Sequence, residues 1–172
     1  MRLVLVRHAM PAADAAVPAR RWHLSPQGRA AARALRLPAG DGTRLVASDE
    51  PKAEQTLIEA TGHAVVATDP GFGEVRRPAE WTPDHREKAH AYVSGTVHHG
   101  WEPHAAVAER FDDAVARHAT SGTLIVATHG MAMTVWLASR VAVDAGSFWS
   151  RLRFPDIVDV DLAAATATRR PQ

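Results

Sequence analysis

The chain of 172 residues contains ten histidines and no cysteine. Disulfides, thiolate metal sites and a cysteine nucleophile are therefore excluded, and imidazole is the side chain whose chemistry must be tested first. Two of the ten stand apart by spacing. His8 follows the apolar run Leu3-Val4-Leu5-Val6 and Arg7, and His129 follows Thr123-Leu124-Ile125-Val126-Ala127-Thr128. Each stands at the carboxyl end of a segment that reads as a buried strand, where open α/β sheets bind their ligands. Arg7 precedes one and Gly130 follows the other. A guanidinium beside a buried strand needs an anion to neutralise it, so the pattern points to imidazole chemistry next to a bound anion.

The elements that must position these residues alternate. After the first strand, Leu24-Ser25-Pro26 supplies a capping serine and a proline for the first helical turn, predicting a helix over 27–37. A second strand is expected over 44–47, ending at Ser48. A helix is expected over 49–60, with Gly62 as its C-terminal cap, and a third strand over 64–67. Residues from about 70 to 101 are rich in Pro, Trp, Gly and His and read as an insertion over the active site with one helix near 83–92. Pro103 opens a helix with Val107, Phe111 and Val115 on one face. The strand over 123–128 and a helix through Met131 and Trp136 follow. Val158, Val160 and Leu162 alternate with Asp159 and Asp161, the pattern of an edge strand with one wet face. Strand-helix alternation predicts an α/β fold, a three-layer α/β/α sandwich around a mostly parallel sheet, in a single domain over 1–172.

Composition narrows the partners. Hydrophobic residues make up 46% of the chain, enough for one core at ordinary domain size and too little for two. A net charge of +1 lacks the basic excess of a nucleic-acid or acidic-membrane surface, so neither is an expected partner. The N-terminal apolar run breaks at Arg7 and His8, far short of a signal-peptide core or membrane span, and a soluble, cytoplasmic protein is expected.

Three segments taken together resemble the histidine phosphatase superfamily, also called phosphoglycerate mutase-like. Leu5-Val6-Arg7-His8-Ala9 is similar to its strand-Arg-His-Gly motif, with alanine for glycine. Ser48-Asp49-Glu50-Pro51-Lys52-Ala53-Glu54-Gln55-Thr56 is similar to its Ser-x-x-x-Arg-Ala-x-x-Thr helix start, with Lys52 for arginine. Val126-Ala127-Thr128-His129-Gly130 is similar to its second strand-His-Gly. Leu24-Ser25-Pro26-Gln27-Gly28 and the Glu102 to Arg110 spacing are weaker echoes.

The resemblance implies that neutral His8 is the nucleophile, attacking phosphorus to form a phosphohistidine that water then hydrolyses. It implies a positive pocket of Arg7, Lys52 and protonated His129 for the phosphoryl oxygens, and Glu74 as general acid/base, with Glu80 as its substitute. Lysine supplies charge without arginine's two-pronged grip. Ser48 and Thr128 are expected to offer hydroxyls, and Arg20 or Arg21 on the first loop to reach the substrate. No metal and no cofactor is expected, and the partner is a small phosphorylated substrate.

Other readings stand beside this one. His98, His99, Glu102 and His104 hold imidazoles and a carboxylate suited to a metal, but without a helical His pair they read better as a solvated turn. Trp22, Trp81 and Trp101 would stack on a substrate ring or cover the rim of the core. A mutase that returns the phosphoryl group to a second hydroxyl and a non-catalytic phosphate-binding module are the alternatives to a phosphatase, which the short insertion favours. Specificity should lie in the first loop and the insertion; the substrate itself does not follow from the sequence.

Overall fold

The computed structural model describes all residues except 39, 80, 81 and 172. Among the described residues six strands form one sheet: β1 (Arg2–Arg7), β2 (Thr43–Ala47), β3 (Ala67–Thr68), β4 (Thr123–Thr128), β5 (Asp156–Asp161) and β6 (Thr166–Arg169), in the order β3-β2-β4-β1-β5-β6. The first four are parallel to one another wherever they pair, and β5 and β6 run antiparallel.

The helices are α1 (Pro26–Arg33), α2 (Pro51–Thr61), α3 (His85–Val93), α4 (His104–Arg117), α5 (Gly130–Arg140) and α6 (Ala145–Arg151). Alternate strand side chains face opposite ways. Leu3, Leu5, Leu124 and Val126 pack under α4, α5 and α6 with Phe111, Trp136 and Phe148. Val4, Val6, Ile125 and Ala127 pack on the other face with Ala53 and Leu57 of α2 and with Leu35. A three-layer α/β/α sandwich results, with the continuous apolar runs of β1 and β4 buried on both faces. No helix among the described residues is long and apolar enough to cross a membrane.

Local signals work as expected at several ends. Ser25 caps α1, its hydroxyl accepting the Gly28 N–H at 3.0 Å, with Pro26 at the first helical position. Gly62 ends α2 in the left-handed conformation, φ 74°.

Other expectations need correction. The first helix stops at Arg33, short of 37, because Pro38 disfavours helical backbone at Leu37 and Leu35 turns into the core. The third strand is only Ala67–Thr68. β5 is an interior strand between β1 and β6, its Asp159 satisfied by Arg2 and Arg170; the true edge is the unexpected β6. Helix α6 was also unforeseen. Asp144 caps it by accepting the Ser147 N–H at 2.7 Å, and Gly146 lets it approach α3, where a Cβ would meet Ser94 Oγ at 2.6 Å.

Candidate active site

The parallel register of β1 and β4 pairs Arg7 with Thr128, so His8 and His129 leave the sheet side by side. The His8 N–H donates to the Thr128 carbonyl at 3.0 Å, and the two imidazole centroids lie 5.1 Å apart. On the other side of β4, Ser48 follows β2 and its N–H donates to the Ala127 carbonyl at 2.8 Å. The three motifs therefore meet at one end of the sheet because three adjacent parallel strands end there.

His8 is 6% exposed, and its Nδ1 lies 2.8 Å from the Ala9 carbonyl. A carbonyl only accepts, so Nδ1 carries the hydrogen and Nε2 presents a lone pair. Burial above all, then the neighbouring His129 and Lys52, holds His8 well below the usual imidazole range. It is thus a neutral ring with a free nitrogen. Behind it, the Ala9 N–H donates to Thr56 Oγ1, whose hydroxyl donates to the Lys52 carbonyl. The threonine of the second motif thereby fixes the backbone of the first.

The Arg7 guanidinium is clamped at one corner. Its Nη1 donates to the Leu152 carbonyl at 2.9 Å, and its Cζ lies 3.5 Å from the centre of the Phe154 ring. Nε is buried without a partner among the described residues, and burial lowers the group to about 10, still cationic at neutral pH. Gly130 lets α5 start against it, for a Cβ there would sit 3.1 Å from Nε.

His129 is fully buried. Its Nε2 lies 2.9 Å from Ser48 Oγ, which also accepts the Glu50 N–H at 3.2 Å. Ser48 can therefore donate its hydroxyl hydrogen to Nε2, leaving the ring hydrogen of a neutral imidazole on Nδ1, which is buried without a partner among the described residues. The expectation of a protonated His129 is corrected: burial, then Lys52, pushes it down to about 3. The ring is neutral, with its hydrogen on Nδ1.

Glu74 reaches the same place from the insertion. Its Oε1 accepts the Ala132 and Val75 N–H groups, each at 2.9 Å, and its Oε2 faces the Met131 N–H at 3.4 Å, placing the carboxylate at the start of α5. Arg110 holds this loop by donating to the Gly71, Gly73 and Glu74 carbonyls while forming a two-pronged pair with Glu102. The Glu102 to Arg110 echo is thus a strut beneath Glu74.

Lys52 is buried, 5% exposed, and donates to the Ala19 carbonyl at 2.8 Å and to Glu50 Oε2 at 2.5 Å. Arg20 and Arg21 sit in the short turn Ala19–Arg21, with both side chains exposed. The Thr128 hydroxyl donates to the Phe72 carbonyl at 2.7 Å, so it fastens the loop before Glu74. Glu80 and Trp81 lie outside the described residues. Trp22 ties the first loop through the Asp14 and Val17 carbonyls, and Trp101 packs on Tyr92 at the edge of the core. His98 and His104 face the Lys88 and Tyr92 carbonyls, and no group of three or more metal-binding side chains converges among the described residues.

Sequence reasoning missed Glu50 and Phe154. Glu50 lay inside the quoted motif as an acid two residues before a base. Phe154 is 147 residues from Arg7 and carried no local signal.

Among solved structures, a mycobacterial glucosyl-3-phosphoglycerate phosphatase in complex with VO3 superposes with a TM-score of 0.70 at 20% identity, over 98% of this chain and 96% of that one. A phosphoglycerate mutase from Thermus thermophilus gives 0.70 at 20% identity, over 100% and 99%. Both show the same fold. No curated protein sequence matches significantly. The sequence model of the histidine phosphatase superfamily (branch 1) matches residues 3–157, nearly the whole length, and the chain belongs to that superfamily.

Proposed function

We propose that the protein is a phosphatase that hydrolyses a phosphomonoester of a small molecule through a covalent phosphohistidine on His8. The observation that carries this reading is the His8 ring, with Nδ1 on the Ala9 carbonyl and Nε2 free, 5.1 Å from the His129 ring, beside two buried nitrogens without a partner among the described residues, Arg7 Nε and His129 Nδ1. Buried polar groups are ordinarily paired, and donors of this kind suit phosphoryl oxygens.

In the first step the His8 Nε2 lone pair forms a bond to phosphorus as the P–O bond to the leaving group breaks. Glu74, in its protonated form, gives its proton to the departing oxygen. In the second step Glu74 takes a proton from water, whose oxygen attacks phosphorus; the P–N bond breaks and His8 recovers its lone pair. Arg7, Lys52 and the neutral His129 face the oxygens that gather charge. Ser48 orients His129, and Arg20 and Arg21 on the exposed first-loop turn would bind the rest of the substrate. The route uses side chains alone and calls for neither metal nor cofactor. The pocket's few local cations suit a small phosphorylated molecule in the cytoplasm, with no nucleic acid or membrane involved. The mycobacterial phosphatase's complex with VO3 is the kind of ligand such a pocket would take.

The test is turnover of aryl phosphates in the presence of a strong chelator, together with acid-labile labelling by the phosphodonor. The wild type is expected to show both, and His8→Ala neither. Turnover retained by His8→Ala, or abolished by the chelator, overturns the mechanism.

A further inference from the structure

Glu50, the partner of Lys52 in a buried pair, has no role in the mechanism above. Both residues are buried, 8% and 5% exposed, and the pair is short. Taking two charges out of water is costly, so a buried pair beside an anion pocket calls for a reason. Glu50 sits at the start of α2, yet its side chain makes no capping bond to that helix. It turns inward instead, where Oε2 meets Lys52 and Oε1 accepts the Glu74 N–H at 2.9 Å and lies 3.5 Å from His129 Nε2.

A carboxylate here changes the charge of the site. The inner pocket holds Arg7 and Lys52 as cations against the carboxyl groups of Glu50 and Glu74, with both histidines neutral. Asp49, next to Glu50, is exposed, and Arg110 is paired with Glu102. Through space, Arg77 and Arg110 act on His129, while Arg86 and the buried Asp156, itself paired with Arg169, act on Arg7. Lys52 thus enters the pocket already neutralised, and Arg7 is the one inner cation without a carboxylate in contact among the described residues.

We propose that Glu50 is a specificity-determining residue: by holding Lys52 in a buried ion pair it leaves the pocket one cation short, so that a singly charged phosphoryl group is preferred over a doubly charged one. This rests on the reading of the Arg7, His8 and His129 cluster as the phosphate pocket.

Calorimetric binding of inorganic phosphate needs no turnover and is followed from about pH 5 to about pH 8, across the ligand's second ionisation. Wild-type binding is expected to tighten toward the acid end. Glu50→Gln, which retains an amide oxygen for the Glu74 N–H but frees Lys52, is expected to bind about 10-fold more tightly at the alkaline end and to lose the acid preference. Wild-type binding that tightens toward alkaline pH overturns the proposal without any variant. So does an unchanged pH profile in Glu50→Gln, because the acid preference would then come from proton uptake elsewhere. Binding that is absent, or indifferent to Arg7→Ala, overturns the underlying pocket reading instead.

Discussion

The His8 and His129 rings are tilted by 59° at a centroid separation of 5.1 Å, and the carboxylate beside them is engaged elsewhere: Glu50 Oε1, 3.5 Å from His129 Nε2, accepts the Glu74 N–H while Oε2 is paired with Lys52. Two adjacent buried imidazoles that remain neutral make the folded state sensitive to acid. Burial is the main cause in both, lowering His129 from 6.5 to about 3 and His8 well below 6.5. Between these folded values and 6.5 the unfolded chain binds more protons than the folded one. Stability is therefore fully present above about pH 6.5 and is lost as the pH falls, by up to about 1.4 kcal/mol per pH unit for each histidine. Urea unfolding at pH 7 and pH 5 measures this slope, and His129→Asn should reduce it by one histidine's share. A slope unchanged by that substitution would mean that His129 titrates alike in both states.

Arg110 holds the loop that carries Glu74 into the site. Removing its side chain in Arg110→Ala leaves the buried Glu102 carboxylate unpaired and takes the donor from the carbonyls of Gly71, Gly73 and Glu74. Losing one partner of a buried pair costs about 3–5 kcal/mol. Unfolding measurements should show that loss, and aryl phosphate turnover should fall in kcat more than in KM, because the loop carrying Glu74 is released. Arg110→Lys keeps the charge but not the fork, and should recover stability better than kcat. If Arg110→Ala matches the wild type in both, the strut does not exist.

The legible parts of this molecule are those whose cause is local in sequence. Continuous apolar runs place β1 and β4, and with them the positions of His8 and His129, because a strand buried on both faces admits no other pattern. Ser25 with Pro26, and Gly62, mark helix ends for equally local reasons. The illegible parts are made by the fold. The alternation in β5 is the same whether β6 lies beside it or not, so the sequence pattern alone reads as an edge. The Phe154 ring and the Leu152 carbonyl reach Arg7 only because β5 is laid antiparallel against β1. In water His129 would take up a proton near pH 6.5, and its resistance to protonation below that comes from burial that no window of residues around it reveals.

Gly130 separates helix stability from function. It is the first residue of α5, where alanine would ordinarily be at least as good a helix former. Its hydrogen, however, faces the Arg7 guanidinium: a Cβ would lie 3.1 Å from Nε and 3.2 Å from Cζ and Nη2. The guanidinium has little room to retreat, since Phe154 covers one face at 3.5 Å and Leu152 holds Nη1. Gly130→Ala must therefore push the fork out of line with the phosphoryl oxygens. Displacements well below 1 Å suffice to lower reactivity, and kcat/KM for an aryl phosphate should fall about 10-fold or more, with inorganic phosphate binding weakened in parallel. The thermal midpoint should stay within a few degrees of the wild type. Full activity and unaltered phosphate binding in Gly130→Ala would show that the Nε edge of Arg7 does not face the phosphoryl group.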